Sequence, residues 1–148
     1  MKPAILTNLR LCFGCWTCSL GCQQGKKLAD DKWIMRINTV GSESGKMDEP
    51  AGSWADPSSL KMSWVPVAFP TCNLCKERTD RGKEPYCTYN CPSLARIYGD
   101  LDDPTSKISL AMKDLSGRGY KIYQLPDAGD KTHAAFYYAD KEAPQRIG

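Results

Sequence analysis

Cys12-Phe13-Gly14-Cys15-Trp16-Thr17-Cys18-Ser19-Leu20-Gly21-Cys22 is the stretch from which the rest of this chain is read. Its C-x2-C-x2-C-x3-C spacing is the ligand run of a [4Fe–4S] cluster, whose fourth thiolate normally serves a second cluster. The reason is reach. The first three thiolates, on a loop wrapped round a cubane, can each meet a different iron corner. The fourth, one helical turn beyond the third, points toward a neighbouring site. Such a run demands a second ligand set downstream. Cys72-x2-Cys75-x11-Cys87-x3-Cys91 supplies it with every remaining cysteine, and Pro92 completes the Cys-Pro ending of these runs. The expectation is an exchange of fourth ligands. Cys12, Cys15, Cys18 and Cys91 would bind one cluster; Cys72, Cys75, Cys87 and Cys22 would bind the other.

Around these ligands the composition is that of an ordinary globular chain. It is 41% hydrophobic and 25% charged over 148 residues, enough to bury one core. No apolar run approaches the ~20 residues of a membrane helix. Met1 to Leu6 is too short for a signal peptide, and no twin-arginine motif precedes an apolar stretch. The expected location is therefore cytoplasmic, or exported only together with a signal-bearing partner. Eight cysteines could pair as four disulfides. Their crowding at 12, 15, 18 and 22 argues against that, because disulfide frameworks staple distant segments. The formal charge of +3 falls to about −1 once two dianionic clusters are counted. The basic residues are scattered, not striped, so nucleic acid is not an expected partner.

Along the chain, residues 4–8 read as a strand delivering the first ligand loop, and Ser19 to Lys27 as a short helix fraying at Gly25. Trp33 to Val40 reads as a strand. Gly14 and Gly21 suit either close approach of N–H groups to cluster sulfurs or plain turns. Phe13 and Trp16 would shield the cluster from water, whereas Lys26, Lys27 and Lys32 read as a solvated face. Residues 41–60 form a turn-rich loop in which Trp54 suggests a partner-facing anchor. Met62 to Phe69 reads as a strand that Pro66 breaks and confines to an edge. The basic insert between Cys75 and Cys87 reads as a solvated loop, screening of cluster charge being the competing account. Ser93 to Ala95 should finish a helical turn before a strand over Arg96 to Asp100. The order strand, ligand loop, short helix, strand then occurs twice, which is the bacterial ferredoxin scheme. A capped helix begins at Asp102–Ser106, buries Ile108, Ala111, Met112 and Leu115, and closes at Gly117. Gly119 to Leu125 and Ala134 to Ala139 read as two further strands. His133, the lone histidine, reads as a surface residue beside the turn-rich segment Asp127–Thr132.

At this point the residues resemble a known family, the iron–sulfur electron-transfer subunits of molybdopterin oxidoreductases of the dimethyl-sulfoxide reductase type. The similarity is carried by both cysteine runs, by Ala95-Arg96-Ile97-Tyr98-Gly99-Asp100-Leu101-Asp102-Asp103-Pro104, and by the tail from Leu125 to Tyr138. Members of that family usually have four cysteine motifs. This chain has two, similar to the family's first and last, and residues 41–60 stand where the other cluster domain would be inserted. The resemblance implies a reduced member that keeps one two-cluster domain, and hence a shorter electron path. The expected fold is α+β, a bacterial 2[4Fe-4S] ferredoxin-like pseudo-two-fold core with added strands and a C-terminal helix and tail. Residues 1–148 would form one domain, with 101–148 a docking extension.

No constellation for bond-making chemistry accompanies the cysteines. There is no Cys–His or Ser–His–Asp arrangement and no phosphate-cradling glycine loop. With every cysteine committed as a ligand, no iron is left open to a substrate. The chain is expected to transfer electrons and to have no catalytic site of its own. It would relay them to or from a large subunit holding a bis-pterin molybdenum or tungsten cofactor, with a possible further donor or acceptor and no membrane span of its own. A diffusible two-cluster ferredoxin is the alternative, and the long segment after Cys91 weighs against it. A structural zinc protein is the third reading, but a third cysteine two residues after the second, and a fourth after three more, are redundant for paired C-x2-C knuckles.

Overall fold

Ala4-Ile5-Leu6 is apolar at consecutive positions, as a strand covered on both faces must be. It lies in β1 (Pro3–Asn8), buried at every position after Pro3. The structure, a computed structural model, describes residues 1–40, 63–125 and 133–141. The expected loop 41–60 with Trp54 and the turn-rich segment Asp127–Thr132 lie outside the described residues.

After β1 the chain runs through the first ligand loop into α1 (Thr17–Gly25) and β2 (Met35–Val40). Next come β3 (Ser63–Ala68), the second ligand loop, α2 (Lys76–Thr79), α3 (Tyr86–Tyr89) and β4 (Arg96–Asp100). The remainder is α4 (Lys107–Gly117), β5 (Lys121–Tyr123) and β6 (Phe136–Asp140). The fold is a mixed α+β one with two sheets. The larger has the order β4-β1-β6-β5, and the smaller pairs β2 with β3. β1 pairs antiparallel with β4, from Pro3↔Asp100 to Thr7↔Arg96, and parallel with β6, from Ile5↔Phe136 to Asn8↔Ala139. β2 and β3 are antiparallel and run unbroken through Ile37↔Pro66. Pro66 therefore does not break its strand. In a two-stranded sheet each member has an unpaired side, and the Pro66 carbonyl bonds Tyr138 on that side, so the missing N–H costs no ladder bond.

Alternation along β1 and β6 divides the core in two. Ile5, Phe136 and Tyr138 face one cluster of buried side chains that also holds Met35, Ile37, Val65, Val67, Leu74, Cys18 and Cys87. Ala4, Leu6 and Ala139 face the other, against Ile108 and Leu115 of α4. The cysteine face and the α4 face are thus opposite sides of one sheet. The Tyr138 hydroxyl donates to the Pro66 carbonyl at 2.6 Å and ties the two sheets together. Phe136 and Tyr138, aromatic residues that sequence reading associates with docking, are buried within the chain itself.

Four local expectations are revised. The helical turn of the second half precedes Cys91, because α3 begins at Tyr86; Ser93 to Ala95 is a turn with Leu94 at φ 56°. The insert after Cys75 is solvated as expected, but it is also folded. Arg78 donates to the Glu84 carbonyl at 2.7 Å and lies 4.4 Å over the Tyr86 ring, while Lys76, Arg81 and Lys83 are exposed. His133 is half-buried, and its Nδ1 accepts from the Ala135 N–H at 3.1 Å. Lys26 is nearly covered, with 12% of its side chain exposed. Its ammonium has neighbours to bond, and Lys27 and Lys32, which are exposed, do not share that environment.

Candidate metal centre

Each ligand loop turns its backbone N–H groups inward, toward sulfur. Gly14 adopts φ +73°, and Trp16, the residue before α1, adopts φ 63°. In the second loop Leu74 and Cys75 sit at φ 56° and 52°, Cys75 being the residue before α2. A residue with a Cβ in the left-handed region costs about 1–2 kcal/mol, so loops that place three of them there are held by their surroundings. The Gly14 N–H bonds the Cys12 sulfur, and the Leu74 N–H donates to Cys72 Sγ at 3.3 Å. The two halves therefore repeat one detail, a donor two residues after the first cysteine. At Gly14 both expected roles meet, since an added Cβ would also come 2.6 Å from the Trp64 ring.

All eight cysteines are free thiols. Cys12, Cys15, Cys18 and Cys91 line one cavity together with Phe13, Trp16, Ile37 and Arg96. Trp16 is half-buried against it, whereas Phe13 stands 53% exposed at the rim. The thiol of Cys22 does not join that group. Its electrostatic neighbours are Cys87, Cys75 and Cys72, and Cys12 in turn has Cys91 and Cys15 as its neighbours. Cys18 of the first run and Cys87 of the second stand where the groups meet, each within the other's field.

Burial makes Cys18, Cys22 and Cys72 hard to ionise without a metal. Burial pushes Cys18 and Cys72 up to about 11 and Cys22 up to about 12, with neighbouring sulfurs adding to the shift. Cys91 goes the other way. Burial tends to raise it, but the Ser93 hydroxyl and the N–H groups of Ser93, Ala95 and Arg96 hold its thiolate below the usual thiol range. Four donors converging on one sulfur are the environment a metal-bound thiolate uses.

Two cations complete the site, and neither is evident from spacing. Lys26 Nζ bonds Asn73 Oδ1 at 2.7 Å and Glu77 Oε1 at 2.8 Å, bracing the end of α1 against the second ligand loop beside Cys22 and Cys75. Arg96 opens β4 and is only 5% exposed. Its Nη2 donates to Cys87 Sγ at 3.7 Å, and its guanidinium lies 5.2 Å over the Phe136 ring. The available signal was positional. Lys26 falls four residues after Cys22, and Arg96 is a charge set between Ala95 and Ile97 at the start of a strand.

These side chains suit an iron–sulfur cluster. A cubane takes its thiolates at separate corners and accepts N–H bonds on its sulfurs. The buried, unpartnered Nε and Nη1 of Arg96 are donors of that kind.

Comparison with known proteins points the same way. No family model matches the chain. It is 28% identical over 150 residues, 86% of this chain and 64% of the relative, to the arsenate respiratory reductase iron–sulfur subunit ArrB of Shewanella sp. (strain ANA-3). Over 87 residues, 53% of this chain and 34% of the relative, it is 33% identical to a sulfite dehydrogenase subunit of Allochromatium vinosum. The formate dehydrogenase iron–sulfur subunit of Haemophilus influenzae is 33% identical over 75 residues, 47% of this chain and 24% of that one. The chain thus spans less than two thirds of each of these curated relatives. The resemblance to iron–sulfur subunits of molybdopterin oxidoreductases holds across several of them.

Proposed function

We propose that this chain is an electron-transfer subunit with two [4Fe–4S] clusters, working with a larger catalytic subunit that holds a molybdenum or tungsten bis-pterin cofactor. The observation that carries the reading is the sorting of the cysteines, with Cys91 beside Cys12, Cys15 and Cys18, and Cys22 beside Cys72, Cys75 and Cys87. Crossed ligation of this kind is the ferredoxin-like pseudo-two-fold arrangement, with β1–α1–β2 and β3–α2–α3–β4 as its halves. Clusters bound there would each accept and release one electron at a time with little rearrangement.

The chain's own residues do the rest. The thiols give up protons as metal binds, and N–H groups at Cys12, Cys72 and Cys91 hold the thiolates in place. Ile37, Trp16 and Leu74 keep water away, which together with hydrogen bonding sets a cluster's potential. Cys18 and Cys87, meeting between the groups, keep the path from one cluster to the other short. Cys15 and Phe13 are exposed, so the first site presents the edge through which a redox partner is reached. No helix among the described residues is long and apolar enough to cross a membrane. We place the chain in the cytoplasm, or outside it as part of a complex, and assign the outer surface of residues 101–148 a part in docking.

Anaerobic purification tests the reading. The expected result is a brown protein with about eight irons and eight sulfides per chain, retained by a large pterin-binding subunit. A colourless protein holding zinc overturns it. A brown chain that stays monodisperse and alone favours the diffusible ferredoxin instead.

A further inference from the structure

Arg96 is a buried cation without a carboxylate partner among the described residues. Its ring contact with Phe136 and its one long bond to Cys87 leave two donors, Nε and Nη1, buried and unsatisfied. Leaving charged donors unmet inside a core is costly, and proteins retain such a group where something anionic is to meet it. The surroundings say where that anion would sit. The guanidinium lines the cavity of Cys12, Cys15, Cys18 and Cys91 while bonding Cys87, a member of the other group. Its position is also well held, because β4 is zipped to β1 at Thr7↔Arg96.

We propose that Arg96 is a counter-charge shared by both clusters, donating through Nη2 to the Cys87 ligand of one and through Nε and Nη1 to the sulfurs of the other. A cluster gains one negative charge on reduction, so a fixed cation beside it favours the reduced form and raises its potential. Placed between two clusters, the same cation favours the reduced form of each. Arg96 is thus a positioning and tuning residue acting on both ends of the relay. Arginine suits the task where lysine does not, since a planar fork can donate in two directions from one buried point.

The proposal rests on the two-cluster reading, and the test separates the two. On the full chain, purified anaerobically with its clusters, iron and sulfide analysis of the parent protein establishes the cluster count. A count of four irons or none overturns the two-cluster reading and the proposal with it. With about eight irons present, redox titration followed by electron paramagnetic resonance reads Arg96 directly. Arg96→Gln is expected to lower both potentials. Arg96→Lys, which keeps the charge and loses the fork, is expected to fall between parent and Gln. A Gln variant that keeps both clusters at the parent potentials, or moves only one, overturns the shared role. Should neither variant hold clusters, the parent protein still decides. Grown on arginine that carries heavy nitrogen only in its guanidinium group, which leaves the Arg96 backbone N–H at Cys91 unlabelled, and then reduced, it is expected to show nitrogen hyperfine coupling at both clusters. Absence of that coupling at either one refutes the assignment.

Discussion

Cys22 is the residue on which the proposed ligand exchange turns. It lies on α1, four residues along the helix from Cys18, on the same face but about 6 Å further along the axis, and that rise carries the two side chains to different sites. The packing of α1 against α3 then sets Cys22 beside Cys87. Cys22→Ser is expected to lose or convert the cluster of Cys72, Cys75 and Cys87 and to leave the resonance of the other intact. Cys91→Ser should do the reverse. Retention of both signals, or loss of the wrong one, shows each run to be self-contained. Tyr138 carries a separate expectation. Removing its hydroxyl leaves the buried Pro66 carbonyl without its 2.6 Å donor, a loss of about 1–3 kcal/mol. Tyr138→Phe should therefore melt measurably lower by circular dichroism, and an unchanged melt would mean the two sheets are held by packing alone. Single residues were also where sequence reading reached least far. The ligand types and spacing were legible, but the roles of Lys26 and Arg96 were not. A charge's role depends on what lies within a few ångströms of it, and those neighbours come from remote segments.

At the scale of elements, α4 and β4 show why a small residue sits in a strand. Gly99 lies beneath Ile108, and an added Cβ would stand 2.7 Å from Ile108 Cγ2 and 3.0 Å from its backbone nitrogen. Backbone cannot rotate aside as a side chain can. Gly99→Ala is expected to cost about 1–3 kcal/mol through overpacking. Ile108→Ala, emptying the same contact, should cost about 2–5 kcal/mol, at about 2–4 °C of melting temperature per kcal/mol. Both variants should keep their cluster content, because α4 covers the sheet face opposite the cysteines. Cluster loss in either variant would show that the two faces are coupled. The helix itself was readable in advance. Ser106 accepts from the Ser109 N–H at 3.3 Å as its cap, and Ile108 and Leu115 are buried. The strands β1, β2 and β4 were likewise legible from their apolar β-formers. The insert after Cys75 was not, since its order comes from Arg78 stacking on Tyr86 and not from any periodic pattern.

For the molecule as a whole, the cysteine-bearing core and the sheet are one structure. Cys18 and Cys87 belong to the same buried cluster as Ile5, Met35, Val67 and Tyr138. Stripping the iron under a strong chelator is therefore expected to abolish cooperative melting and open the chain to protease, because the bound group completes that core and offsets the crowding of its thiolates. An iron-free chain that melts cooperatively and resists protease would place the clusters outside the folding core. The C-terminal strands gain a role that sequence alone did not assign. β6 lies parallel to β1 in mid-sheet, so residues that look like an aromatic docking tail instead cover the cysteine face from within. By itself the sequence determined the iron–sulfur character of the chain, because the number and spacing of cysteines are local properties of a loop. Tertiary structure alone decided which sulfurs stand together, which cation stands between them and which strands close the sheet. Those depend on contacts between segments tens of residues apart, which no local pattern encodes.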